Sequence, residues 1–328
     1  MSADKDNINK DRENINGKNI DNEGNSGANK NNENKNNETQ KDENKSIKKT
    51  SNEKTITVKP NSINKVNFIK DIYHNKRLIL SLSKNDFKTK YAGSMLGIIW
   101  AFVQPTITIA VYWFVFQMGF RSPGVAEYPF ILWLMAGLVP WFYFSEAWVG
   151  GTNALTEYNY LVKKVVFDID ILPMVKTISS IFVHIFFTAI VVLLSWAYGY
   201  RPDIYTLQLI YYIGCMYVMV LGLSYLTSAV VCFFKDLTQI INIFMQVGVW
   251  LTPIMWDINA MLPPKWVKIF KLNPIYYIVD GFRDAILYKR WFFHKIAWTS
   301  YFWIFTLIVF WLGRRVFTKL KIHFADVL

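Results

Sequence analysis

The sequence predicts an all-α integral membrane protein with six transmembrane helices, an N-terminal interfacial amphipathic helix and short external re-entrant helices between spans five and six. Three observations carry that prediction. Long uncharged runs recur along the chain, Lys and Arg gather at their ends, and aromatics make up 17% of the 328 residues, 13 of them Trp. The overall hydrophobic share, 52%, understates the case, because the N-terminal segment is almost purely polar. The formal net charge of +12 raises the question of nucleic acid. The basic residues, however, punctuate apolar runs and form no face with interleaved stacking aromatics, so no nucleic-acid partner is expected.

Three segments follow from composition: 1–60, 61–90 and 91–328. Met1 to Lys59 is dominated by Asn, Lys, Asp and Glu. Such a segment buries too little apolar surface to offset its ordering entropy and reads as a disordered cytoplasmic tail. It is no secretory signal, having no apolar stretch ahead of a small-residue cleavage site. From Ile63 to Leu82, Val66, Ile69, Ile72, Tyr73, Ile79 and Leu80 recur at roughly helical spacing among Lys65, Lys70, Lys76 and Arg77. A basic amphipathic helix of this kind lies in a membrane interface or packs on a partner.

A span needs about 20 apolar residues. Six runs meet or approach that length: Tyr91 to Phe120, Tyr128 to Ser145, Thr177 to Tyr200, Ile204 to Phe234, Leu237 to Trp256 and Ile296 to Gly313. Lys84, Lys88 and Lys90 precede the first, Lys163 and Lys164 follow the second, Lys235 follows the fourth, and Arg314, Arg315, Lys319 and Lys321 follow the sixth. These sites share one side if both termini are cytoplasmic, which predicts a multi-pass protein of the cell membrane. The opposite side carries Arg121 and Arg201 in short loops. Asp257 to Lys295 also falls there and is rich in Lys and Arg, against the rule. Its Trp266, Phe270, Tyr276 and Tyr277, with Pro263, Pro264 and Pro274, suggest two short helices dipping into the outer interface, where long basic side chains snorkel.

No catalytic or metal site is evident. Cys215 and Cys232 lie in one apolar run without ligand spacing and read as small buried hydrophobes. No stretch matches the P-loop pattern, and Gly150-Gly151 lacks both its spacing and its Lys. Glu146 and His184 are the polar groups expected within or beside spans, either mechanistic or simply satisfied by headgroup water and a neighbouring helix. Pro105 and Pro140 suggest kinks. Aromatics crowd the first span, including Trp100, Phe102 and Tyr112, and suit either packing or a pathway along which sugar faces slide.

Several separated motifs resemble one family. Asp86-Phe87-Lys88-Thr89-Lys90-Tyr91 with Ser94, Leu96-Gly97, Trp100 and Gln104-Pro105 is similar to that family's approach to its first span. Asn159-Tyr160-Leu161-Val162-Lys163-Lys164-Val165 with Phe167, Leu172 and Pro173 is similar to its first cytoplasmic loop. Phe234-Lys235-Asp236-Leu237, Leu251-Thr252-Pro253-Ile254 and Leu272-Asn273-Pro274 follow in family order. Together they resemble the permease subunits of ABC-2-type exporters of polysaccharide, O-antigen, capsule and teichoic acid, over about Ile63 to Leu328. Lys90 and Lys235 stand where the family often has Arg, Ala92 where a basic residue is common, and Asp168 where Pro is usual.

The resemblance implies a homodimer with two copies of a separate ABC ATPase, which would hold ATP and Mg, this chain itself carrying no cofactor. It implies a lipid-linked glycan substrate in contact with membrane lipids. It also implies a coupling loop carrying Asn153, Leu155, Tyr158, Asn159, Tyr160, Leu161, Lys163 and Lys164. The gate at the first span would use Lys88, Lys90, Tyr91, Ser94 and Trp100. A conduit between the copies would be lined by Trp100, Phe102, Gln104, Tyr112, Gln246 and Trp250. An ABC-2 drug or lipid exporter, an ion-coupled flippase and a membrane-embedded glycolipid transferase are the rival readings. The transferase would need a catalytic constellation that Glu146 and His184, on different spans, do not make.

Overall fold

A computed structural model describes residues 68–119, 128–164 and 168–328. The polar N-terminal segment, the first residues of the basic amphipathic stretch, Arg121, Glu127, Val165 and Phe167 lie outside the described residues. Those described fold into helices joined by turns, with no strand among them.

Helix α1 spans Phe68–Thr89. Ile72, Ile79, Leu82, Ser83 and Asp86 fall on its inward side at helical spacing, while Tyr73, Lys76, Arg77 and Leu80 face out. A turn through Gly93 and Gly97, with φ of 93° and 52°, then redirects the chain. A side chain at either would be strained there. Helix α2, Trp100–Phe114, follows a short 3₁₀ turn and runs into a π-helical turn ending at Gly119. The helical part of the first expected span thus starts at Gly97, six residues after Tyr91.

Helix α3, Phe130–Thr152, is the centre of the bundle and packs against α2 and four later helices. It runs past the expected end at Ser145, so Glu146 sits within a helix. Helix α4, Leu172–Ala197, lies along α3 and carries α1 on its other side. Helix α5, Gln208–Val231, packs against α3, and helix α9, Ile296–Leu320, packs against α5. The α5–α9 crossing depends on small residues. A Cβ on Gly222 would stand 2.8 Å from the Phe310 Cα, and one on Gly313 would run into the Gly222 carbonyl. Close backbone approach of this kind lets apolar helices associate where no water is present to be released. Because α9 continues past Gly313, Arg314, Arg315 and Lys319 belong to its last turns.

Five of these helical segments are long and apolar enough to cross a membrane. The sixth apolar helix, α6, Leu237–Leu251, has only 15 residues. At about 1.5 Å per residue it is shorter than the roughly 30 Å hydrocarbon core. Beyond Leu251 the chain leaves the helix, yet Thr252, Pro253, Ile254 and Met255 stay buried. A one-turn helix, Ile258–Met261, and two longer helices follow, and the longer two differ sharply. Helix α7, Pro264–Lys271, buries none of its residues, whereas α8, Pro274–Arg283, is mostly buried against α3 and α5.

Short connections give the bundle two polar ends. One, the loop end, gathers residues 152–164, 168–176, 231–238 and 314–324 with the C-terminal part of α1. The other, the hairpin end, gathers 128–133, 198–208 and 252–295. The main apolar core fills the bundle between them, and a second cluster built on Ile79, Leu155, Leu172, Tyr225 and Phe317 sits at the loop end.

Candidate functional site

After α3 the chain forms two helical turns, Ala154–Glu157 and Asn159–Val162. Ala154, Leu155 and Val162 are buried in the loop-end cluster, so much of the apolar face of this loop is already used inside the chain. Leu161 is half-buried against the same cluster. Tyr160, 56% exposed, is the large apolar side chain the loop presents outward, flanked by exposed Asn159, Lys163 and Lys164.

The loop is braced by polar contacts to separate helices. Lys176, near the start of α4, places Nζ 2.6 Å from Asp86 of α1 and 2.5 Å from Glu157 of the loop. Its side chain is 11% exposed and that of Asp86 only 5%, so the pair is protected from solvent, while Glu157 is half-exposed. The Tyr158 hydroxyl donates to the same Asp86 carboxylate at 2.7 Å, and Lys176 lies 5.1 Å from the Tyr158 ring centroid. Burial, with the neighbouring Asp86, pushes the Tyr158 hydroxyl well above its ordinary range, which keeps it a donor. Three elements therefore meet on one carboxylate. Thr238 of α6 adds a hydrogen bond to the Asn153 side chain at 2.8 Å, and Thr152 shares one with Thr227 of α5 at 2.7 Å.

Lys90 and Glu146, assigned to different roles from sequence, form a pair at 2.5 Å between the α1–α2 turn and α3. Burial acts to lower the Lys90 ammonium, but Glu146 outweighs it and holds the group above its ordinary value. Tyr91 adjoins this pair, with Lys90 5.6 Å from its ring centroid, and Ser94 donates to the Tyr91 carbonyl at 3.3 Å. Lys88 points away and is exposed. A further ionic group closes the C-terminal side: Asp170 binds Arg314 at 3.1 Å and Lys321 at 2.5 Å, and Asp168 reaches Lys321 at 3.5 Å. Burial and the adjacent Asp170 raise the Asp168 carboxyl.

The residues expected along a conduit fall on α2 and α6. Tyr112 and Trp250 meet edge to face, 6.2 Å between centroids. Phe102 packs on Phe186 of α4 at 4.4 Å. Trp100, Gln104, Gln246 and Trp250 are exposed on the surface of this chain. Among the described residues His184 pairs with neither Glu146 nor another charged group. It is buried between the rings of Tyr143 and Phe282, at 5.0 and 5.8 Å. Cys215 and Cys232 are buried and unbridged.

At the hairpin end, Arg283 is buried and donates to the Pro253 carbonyl at 3.0 Å, the Ile254 carbonyl at 2.8 Å and, more weakly, the Trp133 carbonyl at 3.5 Å. Its guanidinium lies 3.5 Å from the Trp133 ring centroid. Burial lowers it to about 10. Asn273 caps α8 through Ile275 N and donates to Thr252 Oγ1 at 2.9 Å. Two motifs singled out in sequence, 251–254 and 272–274, are thus in direct contact. Asp86, Glu157, Lys176, Asp170, Arg314 and Arg283 were not among the site residues read from sequence. Of these, Lys176 carries a signal in the sequence, a lone cation directly ahead of an apolar run.

The family model described as "ABC-2 type transporter" matches residues 77–287, which include the loop, its bracing residues on α1 and α4, and Arg283. The chain is 23% identical over 265 residues to the O-antigen export system permease protein RfbA of Myxococcus xanthus, covering 80% of this chain and 99% of that protein. It is 27% identical to the protein of the same name from Klebsiella pneumoniae, over 76% of this chain and 95% of the relative. The Polysialic acid transport protein KpsM of Escherichia coli is 20% identical over 74% of this chain and 93% of its own length.

Proposed function

This chain belongs to the ABC-2 type transporter family, and from that premise we propose that it is the transmembrane subunit of an exporter of a lipid-linked polysaccharide or teichoic-acid-like polymer across the cytoplasmic membrane. A separate ATPase, two copies per dimer, drives it and holds the ATP and Mg. Support for the glycan comes from the relatives, which are named for export of O-antigen and transport of polysialic acid along nearly their whole length. Support for a separate motor comes from this sequence, which has no P-loop.

The observation that carries the coupling role is the loop after α3: Tyr160 faces outward from a segment tied by Asp86, Glu157 and Lys176 to α1 and α4. Force applied at Tyr160 passes through those ion pairs to the helix ahead of the first span. The loop end is then cytoplasmic, with both termini, and α1 is the gate helix in the inner interface. Six spans result if α6 is completed by the buried stretch 252–255, which protein rather than lipid surrounds, and α7 and α8 lie re-entrant at the outer face. The domains are a polar tail over 1–60, the gate helix over 61–90 and the transmembrane domain over 91–328. A second copy covers the exposed apolar faces of α2 and α6, and the polymer passes between the copies over Trp100, Phe102, Gln104, Tyr112, Gln246 and Trp250.

The test is co-purification of the full chain with the ATPase and measurement of stimulated hydrolysis. Tyr160→Asp is expected to cut stimulation at least about tenfold, the size of a lost interface anchor, with the chain still folded. Retention of full stimulation by Tyr160→Asp would remove the coupling assignment. Failure of any P-loop ATPase to co-purify with an intact dimer would remove the transporter-subunit reading.

A further inference from the structure

At the hairpin end a cavity of about 400 Å³ opens between α3, α8 and the start of α9. It is within the size range of small-ligand sites, roughly 300–1,000 Å³. Its wall combines the aromatic residues Trp133, Tyr276 and Trp298 with Asp280, Asp284 and Lys295. Lys295 pairs with Asp280 at 2.5 Å and also with Oδ2 of Asp284. The Asp284 side chain is 1% exposed, and its Oδ1 has no hydrogen-bond partner among the described residues. A buried carboxylate oxygen without a donor costs about 1–3 kcal/mol or more, so its persistence beside a cavity points to a donor supplied from outside.

The charges on the wall select the donor. The wall carries Asp257, Asp280 and Asp284 against Lys271, Arg283, Arg290 and Lys295. At the unfilled Oδ1, however, the local charges are the carboxylates of Asp284 and Asp280, which repel a carboxylate or a fully ionised phosphate, and neither of these brings a proton. An ammonium ion meets Lys295, which already occupies the space between the two carboxylates, and the buried Arg283 beside it. A neutral polyhydroxy compound meets neither objection. Its hydroxyls donate to Asp284 and Asp280 and accept from Lys295, while the C–H face of a pyranose lies on Trp298 or Tyr276. We propose that this cavity binds one sugar residue, read by its hydroxyls through Asp284 and Asp280. Placing that sugar on the exported polymer at the outer mouth rests on the transporter reading above; the binding itself does not.

The experiment uses the full chain in lipid nanodiscs, titrated with galactose, N-acetylglucosamine and glycerol and followed by saturation-transfer NMR and Trp fluorescence. Saturable binding of at least one pyranose, stronger than that of glycerol, is expected. Asp284→Asn, which keeps the shape but loses the charge and replaces one acceptor oxygen by an NH2 donor, should weaken it at least about tenfold, as sites lose partners they were built to hydrogen-bond. Trp298→Leu, at a half-buried position of the wall where a substitution is less disruptive, should weaken it about threefold to tenfold through lost stacking. If neither sugar binds, or binding is unchanged in both variants, the proposal fails and ordered water is what satisfies Asp284. Stimulated ATPase and polymer export, measured on the same preparation, report separately on the transporter reading. Export without sugar binding sinks the cavity proposal alone, and sugar binding without any ATPase partner sinks the transporter reading alone.

Discussion

The bundle buries a cation at each end, and the two are held in opposite ways. Arg283 at the hairpin end makes no ion pair among the described residues; its fork terminates on backbone carbonyls of Pro253, Ile254 and Trp133. Lys176 at the loop end has two carboxylates, each from a different element. The difference follows from what each end lacks. Where α6 stops short, buried carbonyls lose their helical donors, and a planar guanidinium supplies several at fixed angles. Where α1, the loop and α4 meet, the partners of Lys176 are side-chain carboxylates, and a point charge on a flexible stem serves as an exchangeable tie. One end is locked, while the other can transmit a displacement.

The largest effect expected is at the lock. Arg283→Ala orphans the Pro253 and Ile254 carbonyls at about 1–3 kcal/mol each, so thermal unfolding in detergent should fall by about 5–20 °C at a few degrees per kcal/mol. Arg283→Lys should recover only part of the loss, because it keeps the charge without the fork. If Arg283→Ala melts within a degree or two of the parent, the carbonyls have other donors and the contrast between the ends is lost.

At the tie, stability and coupling should separate. Lys176→Met leaves Asp86 buried with only the Tyr158 hydroxyl and costs about 1–3 kcal/mol, below the value for a fully enclosed pair because water reaches Glu157. Adding Asp86→Asn should restore most of the melting temperature. Stimulated ATPase should stay depressed in the double variant, since the ionic tie through Lys176 to α1 and the loop is gone and only the Tyr158 hydrogen bond remains. Recovery of both together would make Lys176 a purely structural cation.

Much of this architecture was legible beforehand because uncharged runs and their basic flanks are local patterns. The order of the spans, the segment between α6 and α9 and the position of the loop after α3 all follow from windows of about 20 residues. The helix ends did not. Glu146 broke the uncharged run and suggested an end at Ser145, but its pairing with Lys90 lets α3 continue to Thr152. In the same way, α6 looked continuous to Trp256, while Pro253 and the Arg283 contacts end it at Leu251. Asp86 and Lys176 are 90 positions apart in the sequence. Nothing local ties them, so the junction had to come from tertiary packing.

Asp284 sharpens the contrast from the hairpin side through pH. Burial and the adjacent Asp280 raise its carboxyl from 3.8 to about 6, despite Lys295. Between those values the folded chain keeps a proton that the unfolded chain has released. Stability from this group is therefore full below about pH 4, falls as pH rises to about 6, and is level above. Asp284→Asn carries no such proton. It should flatten that slope and melt a few degrees higher than the parent at pH 7, as expected when a group is kept for binding at a cost in stability. A lower melting temperature for Asp284→Asn at pH 7 would make the Lys295 pairing structural.

The smallest effect belongs to Lys90 and Glu146, and it tests whether the loop end is a set of exchangeable ties or a single rigid block. Their side chains are 42% and 27% exposed, so solvent screens the pair. A double-mutant cycle with Lys90→Met and Glu146→Gln should return about 0.2–1 kcal/mol of coupling at low salt, fading as ionic strength rises. Independence from the Lys176 cluster predicts that this coupling is unchanged when measured in the Asp86→Asn, Lys176→Met background, within the additivity of separate sites. A coupling that grows or vanishes in that background would mean that the turn after α1 and the loop after α3 move as one body. The transmission path would then run through Glu146 on α3 as well as through Asp86 on α1.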